Sequence, residues 1–308
     1  MRFLITGGAG FLGSALANRL AQDGHTVRVL DDLSNGQQEY LDKNVAFTQG
    51  DVNNVPLLWS LLQDVDCVYH LAARVSVAQS ILYPRDYNAV NVGGTVSLME
   101  AVRSTGVRRV ILASSGALYG EQDEQPVHET DLPRPDSPYG VSKWAAEQYV
   151  QTIGALGDIE TVILRIFNAY GPRQSLPASH APVVPRFLYQ VLTSGSVVVF
   201  GDGLQTRDFV YVTDVVNGMV NAAANKAAVG QTFNLGSGQE ISLNHLIEAI
   251  STVAGKRVTP LYNRNKAGGV RRLVADISKA RLVLGFQPHT SLTEGLRRLV
   301  AQDERFQV

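Results

Sequence analysis

The chain has 308 residues, 45% of them hydrophobic and 18% charged, with 28 acidic side chains against 27 basic ones for a net charge of −1. That balance excludes the basic footprint of a binder of nucleic acid or anionic membrane, the single Cys67 excludes an intramolecular disulfide, and no apolar stretch approaches the ~18 residues of a membrane span. An apolar N-terminal segment that stops at glycine lacks the regions of a signal peptide, so a cytoplasmic protein with ample core is expected.

Residues 2–6 predict a first strand, followed at once by Gly7, Gly8, Gly10 and Gly13 and a segment of helical character at 14–21. Strand, glycine loop and helix in this order suit a dinucleotide: Gly7 permits the tight turn, Gly10 lets the backbone approach a pyrophosphate, and Gly13 lets the helix pack closely on the strand. The anion would rest on free N–H groups at the helix N-terminus. A second predicted strand, 26–30, ends in Asp31 and Asp32. Asp31 lies 18 residues beyond Gly13, near the spacing of roughly 20 at which an acid binds an adenosine ribose 2′-hydroxyl and repels a 2′-phosphate. NAD is therefore expected rather than NADP.

Further apolar runs without alternation at 45–48, 67–71, 110–113 and 161–166 predict strands covered on both faces, and helical pieces at 56–62, 90–104 and 138–153 separate them. Cys67 reads as a small buried strand residue. Strand alternating with helix implies an α/β fold, a Rossmann-type doubly wound parallel sheet. Beyond about residue 168 the pattern loosens into loops around 171–173, 177–185 and 201–203, which predicts a smaller C-terminal α/β substrate-binding domain. The expected division is 1–167 with about 208–232 as the NAD-binding domain, and about 168–207 with 233–308 as the substrate domain. The pairs Arg108 with Arg109, Arg271 with Arg272 and Arg297 with Arg298 are too scattered to track a polyanion and read as solvated. Six dispersed histidines, His25, His70, His128, His180, His245 and His289, lack ligand spacing, so no metal is expected.

In such a sheet ligands bind outside the carboxyl ends of the strands. Gly7 to Gly13, Asp31, Asp51, residues 72–76, residues 114–119 and Asn168 all fall at successive strand ends, which argues for one cleft. Ser115 lies on that rim with Tyr139 and Lys143, which are four apart and share a helix face. Ser137 suits the cap of that helix and Pro138 its first position. A hydroxyl, a phenol and an amine so placed could pass one proton among them, the ammonium lowering the phenol from its usual value of about 10.

Several segments extend this pattern: Thr6-Gly-Gly-Ala-Gly-Phe-Leu-Gly13, Asp31-Asp-Leu-Ser-Asn-Gly36, Gly50-Asp51-Val52, His70-Leu-Ala-Ala73, Asn91-Val-Gly-Gly-Thr95, Ser114-Ser-Gly-Ala-Leu-Tyr-Gly120, Pro138-Tyr-Gly-Val-Ser-Lys143 and Gly201 to Val212. By these the chain resembles the extended short-chain dehydrogenase/reductase family, within it the NAD-dependent epimerase/dehydratase group, and most closely its UDP-glucose 4-epimerases. The resemblance implies a cofactor site of Gly7, Gly10, Phe11, Leu12, Asp31, Asp32, Asn35, Gly36, Asp51, Val52, Leu71, Ala72, Ala73, Asn91, Tyr139 and Lys143. It implies that Ser76, Ser115, Asn168, Arg207 and Arg271 meet the substrate, the arginines offering forks to its diphosphate. It implies C4 epimerisation of a nucleotide sugar, UDP-glucose or UDP-galactose, with NAD bound throughout: Tyr139 takes the hydroxyl proton, Ser115 bonds the reacting oxygen, and a 4-keto sugar is re-reduced on its other face. A homodimer joined through helices 90–104 and 138–153 is also implied.

Related 4,6-dehydratases carry Asp-Glu directly after the catalytic Ser or Thr, whereas this chain has Gly116 and Ala117, which disfavours dehydration. Arg74 replaces a frequent Gln, Lys266-Ala-Gly-Gly269 replaces Arg-Pro-Gly-Asp, and Leu273 lies near a position that gates bulkier N-acetyl sugars. Epimerisation or decarboxylation of UDP-N-acetylglucosamine or UDP-glucuronate is the alternative, Arg74 suiting a uronate carboxylate. A non-catalytic NAD-binding regulator is the remote one.

Overall fold

The computed structural model describes residues 1–177, 181–265 and 269–307. Its first half alternates β1 (Arg2–Thr6), α1 (Phe11–Gln22), β2 (Thr26–Asp31), β3 (Ala46–Gln49), α2 (Val55–Leu61), β4 (Cys67–His70), α3 (Val77–Leu82), α4 (Pro84–Tyr87), α5 (Gly94–Thr105), β5 (Arg109–Ser115), α6 (Pro138–Leu156) and β6 (Glu160–Ile166). The helix expected at 90–104 begins as a π-helical turn over Asn88–Gly93 and becomes α-helical only at Gly94. Together with a strand from much later in the chain, β11 (Gln231–Leu235), β1 to β6 form one seven-stranded sheet in the order β11-β6-β5-β4-β1-β2-β3, with every pairing parallel. The order reverses between β1 and β4, the point outside whose carboxyl ends sheets of this kind bind their ligands.

The strands are apolar without alternation because both faces are covered. Phe3, Ile5, Val27, Val29, Cys67, Tyr69 and Ile111 point into one core with Leu16 and Leu20 of α1. Leu4, Leu30, Val68, Val110 and Leu112 point into the other with Leu58 of α2, Leu98 and Met99 of α5, and Ala146 and Val150 of α6. Successive residues of one strand thus alternate between cores.

The second half runs β7 (Asn168–Tyr170), α7 (Val183–Ser194), β8 (Ser196–Phe200), β9 (Thr206–Arg207), β10 (Phe209–Tyr211), α8 (Val212–Ala224), β11 (Gln231–Leu235), β12 (Ile241–Ser242), α9 (Leu243–Ala254), β13 (Thr259–Asn263), α10 (Ser278–Leu284) and α11 (Leu292–Gln302). Three two-stranded pairings, β10 with β7, β12 with β9 and β13 with β8, replace the long sheet. β11 returns to the main sheet beside β6 and spans the expected boundary between 232 and 233, which therefore falls inside a strand. One arginine expected to be solvated is not: Arg109 is buried, donates to the carbonyls of Ala222, Ala223 and Asn225 at the end of α8, and pairs with Glu160. A cation at a helix C-terminus opposes the negative end of its dipole, and this one ties α8 to the sheet.

Candidate active site

The turn after β1 has no room for a side chain at Gly7 or Gly13. Gly7 has φ +70°, and a Cβ there would stand 2.6 Å from the Ala72 amide nitrogen beyond β4; at Gly13 it would strike the Gly7 carbonyl. Gly10 is the N-cap of α1, has no side chain to cap it, and the first turn holds no acidic residue. The positive helix end is left for an external anion, and the glycines form a cradle of the kind a dinucleotide pyrophosphate occupies. Phe11 and Leu12 of that turn are half-buried against the core.

Asp31 closes the cradle. Its Oδ2 accepts from the Ala9 amide and its Oδ1 from the Leu33 amide, both at 2.9 Å. Burial nonetheless pushes its carboxyl above the ordinary value, these amides acting the other way. A carboxylate offers about four acceptor positions, so ribose hydroxyls can still be received. Asp32 is exposed and caps Ser34, Asn35 is exposed, and Gly36 packs so closely on Ala9 that a Cβ would come within 2.8 Å of its carbonyl carbon. Asp51 accepts from the amide of Asn53 at 2.8 Å, and Val52 is buried against Gly94. These groups fit NAD: a side-chain-free anion site with a carboxylate one strand away.

Ser137 caps α6 by accepting from Gly140 at 3.2 Å, with Pro138 at the first position, so Tyr139 enters in the first turn. Tyr139 is 8% exposed, hydrogen-bonds Ser115, and meets the Tyr87 ring edge to face at 6.3 Å. Lys143 is 5% exposed, and its Nζ donates to the Ala113 carbonyl at 2.8 Å. The three residues converge where β5 ends and α6 begins. Their electrostatics differ from expectation. Burial pushes the Tyr139 phenol up to about 12 against the Ser115 hydrogen bond, and pushes the Lys143 amine down to about 8 while Glu147 opposes it. A low-dielectric setting penalises both charged forms, and Lys143 is not among the groups that act on the phenol, which burial and Tyr87 raise and Ser115 alone lowers; the lowering expected from Lys143 is not found.

Asn91 does not simply line the cleft. Its Oδ1 accepts from the Arg74 amide at 2.8 Å, and its Nδ2 donates to the Arg74 carbonyl at 3.0 Å and to Ser142 Oγ at 2.9 Å. It fastens the strand-end segment, with half-buried Leu71, Ala72 and Ala73, to the helix bearing Tyr139 and Lys143. Behind it His70 bridges Thr6 Oγ1 at 2.7 Å and Thr95 Oγ1 at 2.9 Å, and Thr95 donates to the Asn91 carbonyl at 2.6 Å. Ser76 caps α3 and accepts from the Tyr87 hydroxyl through its carbonyl at 2.7 Å, placing it one ring from Tyr139.

Of the expected substrate residues, Asn168, Arg207 and Arg271 lie in the second half of the chain. Arg207 on β9 is half-buried; burial pushes its guanidinium below the ordinary value, while Glu121 and Asp136 favour its charge. Arg271 is exposed, donates its amide to Glu121 at 2.7 Å, and accepts from the Thr206 amide at 2.9 Å, so the two arginines sit on adjoining backbone. Asn168 is exposed at the start of β7 and donates its amide to the Asp208 carbonyl. Leu273 is buried in the core, and Lys266 to Gly268 lie outside the described residues. A Cβ at Gly116 would come within 3.1 Å of the Phe167 ring, so the position after Ser115 has little room for an acid.

Two contributors escaped the sequence reading. Tyr87, which packs on Tyr139, carries no local signal. Glu147 repeats the four-residue spacing of Tyr139 and Lys143, which was legible, but its complete burial was not.

The family model of the NAD dependent epimerase/dehydratase family matches residues 3–236. The UDP-glucose 4-epimerase of Mycolicibacterium smegmatis is 41% identical over 308 residues, covering 97% of each chain. The crystal structure of Thermotoga maritima UDP-glucose 4-epimerase with UDP-glucose matches with a TM-score of 0.94 at 36% identity, over 100% of this chain and 99% of that one. The UDP-glucuronic acid 4-epimerase of Bacillus cereus, solved with UDP-glucuronic acid and NAD, matches with a TM-score of 0.89 at 34% identity over 98% of each. The chain belongs to the NAD dependent epimerase/dehydratase family and, within it, to the nucleotide-sugar 4-epimerases, isomerases that use NAD.

Proposed function

We propose that the chain interconverts UDP-glucose and UDP-galactose at C4, with Ser115, Tyr139 and Lys143 as its catalytic residues. NAD, held by the glycine cradle, Asp31 and the strand ends, supplies the acceptor and then the donor of the C4 hydrogen. Tyr139 takes the C4 hydroxyl proton and later returns it; Ser115 donates to the reacting oxygen; Lys143 favours the anionic phenol. Arg207, Arg271 and Asn168 hold the diphosphate and nucleoside while the 4-keto sugar turns over in the cleft. The observation that carries this reading is the convergence of Ser115 and Tyr139 beside Gly116 and Ala117: a site equipped for proton transfer at one oxygen and lacking the acid pair of dehydration.

Arg74 supports a second reading, a uronate substrate. Its charge already acts on the Tyr87 phenol next to Tyr139, so a carboxylate at C6 could meet it. Product analysis by NMR after incubation with UDP-glucose, UDP-N-acetylglucosamine and UDP-glucuronate decides. UDP-galactose as the main product supports the first reading, turnover of UDP-glucuronate alone the second, and turnover of none sinks both.

The enzyme we envisage is a cytoplasmic homodimer whose substrate domain comprises about 168–207 and the chain after β11. Exposed Val77, Ile81 and Leu82 on α3 and Val141 and Tyr149 on α6 support a helical dimer face. Among the described residues no helix is long and apolar enough to cross a membrane.

A further inference from the structure

Glu147 is 0% exposed, on the helix face that carries Tyr139 and Lys143 and one turn beyond Lys143. A fully buried carboxylate is costly unless paired. Here Arg165 of β6 supplies Nη2 to Oε2 at 2.8 Å and Nε to Oε1 at 3.1 Å, and Ser114, the residue before Ser115, donates to Oε1 at 2.5 Å. Arg165 is itself fixed. Its Nη1 donates to the Tyr119 hydroxyl at 2.8 Å and to the Glu129 carbonyl at 3.1 Å, and the Tyr119 hydroxyl donates to Asn234 of β11 at 2.8 Å. The carboxylate is thereby held from two strands, β5 through Ser114 and β6 through Arg165, and cannot swing to solvent.

An ion pair made only for packing has no need to stand one turn from a buried amine, since apolar residues of similar volume commonly fold as well. We propose that Glu147 is a positioning residue whose carboxylate, locked by Arg165 and Ser114, keeps Lys143 an ammonium so that Tyr139 can become the base. The inference rests on the roles assigned above to Lys143 and Tyr139. The groups around the amine agree with it. On α6 stand Tyr139 and Glu147; from β5 come the Ala113 carbonyl and Ser115; from β4 comes His70, which burial keeps neutral with a value pushed down to about 3; and from β6 comes Arg165, behind Glu147. Glu147 is the anion that opposes the effect of burial on the amine.

The test is the titration of Lys143 in ¹³C-lysine-labelled protein by NMR, the resonance assigned with Lys143→Arg, together with the pH dependence of kcat. Glu147→Gln should lower the Lys143 midpoint by about one pH unit and move the alkaline limb of kcat down with it. Because that variant leaves Arg165 buried and unpaired, Glu147→Gln/Arg165→Met removes both charges; it should fold more stably than the single variant and still titrate below the parent. An unchanged Lys143 midpoint in either folded variant overturns the proposal. Its failure is distinct from failure of the site assignment, which would show as full turnover by Lys143→Met whatever the titration reads.

Discussion

Asn91 grips Arg74 by both backbone groups, accepting from its amide at 2.8 Å and donating to its carbonyl at 3.0 Å, in the manner of a strand neighbour. The segment leaving β4 is thus held beside α6 by one side chain. Asn91→Ala would leave both Arg74 groups and Ser142 without this partner, at a cost of about 1–3 kcal/mol. Denaturant unfolding should show that loss, and calorimetry should show weaker NAD binding. Asn91→Asp should recover less than half, since it can accept from the amide but cannot donate to the carbonyl.

Tyr139→Phe keeps the ring against Tyr87 and removes only the hydroxyl that meets Ser115. NAD affinity and melting temperature should stay near those of the parent while kcat falls about 10²–10⁴-fold. Substantial residual turnover would remove Tyr139 from the role of base.

His70 gives the fold a pH dependence. Buried between Thr6 and Thr95, it is pushed down from 6.5 to about 3 by burial first and by the Lys143 charge second. The folded state therefore binds the proton more weakly than the unfolded chain. Its contribution is fully present above about pH 6.5 and is lost as pH falls toward 3, with a slope approaching ~1.4 kcal/mol per pH unit. Urea unfolding at several pH values should show this decline in the parent, and His70→Gln should flatten it.

The sheet was legible because its strands are buried on both faces and so are written as unbroken apolar runs, Phe3 to Thr6 being the plainest. The glycine turn was legible because Gly7 and Gly13 stand where no Cβ fits. β11 was missed as a sheet strand because Gln231, Thr232 and Asn234 are polar: Asn234 spends its side chain on Tyr119 and the Val127 carbonyl, contacts between residues more than 100 positions apart. Burial of Arg109, Glu147 and Arg165 was hidden because a charged residue enters the core only when the fold brings it a partner from another element. The direction of the phenol shift also depended on burial, which spacing alone does not supply.

The proposed epimerisation removes one hydrogen from C4 and returns the same hydrogen to it. Incubation of the enzyme with UDP-galactose deuterated at C4, followed by NMR of the product, tests this most directly. UDP-glucose with deuterium retained at C4, formed without exchange with water and lost in Tyr139→Phe, is the predicted result. UDP-glucose whose C4 deuterium has washed out into solvent, or no UDP-glucose at all, would contradict it.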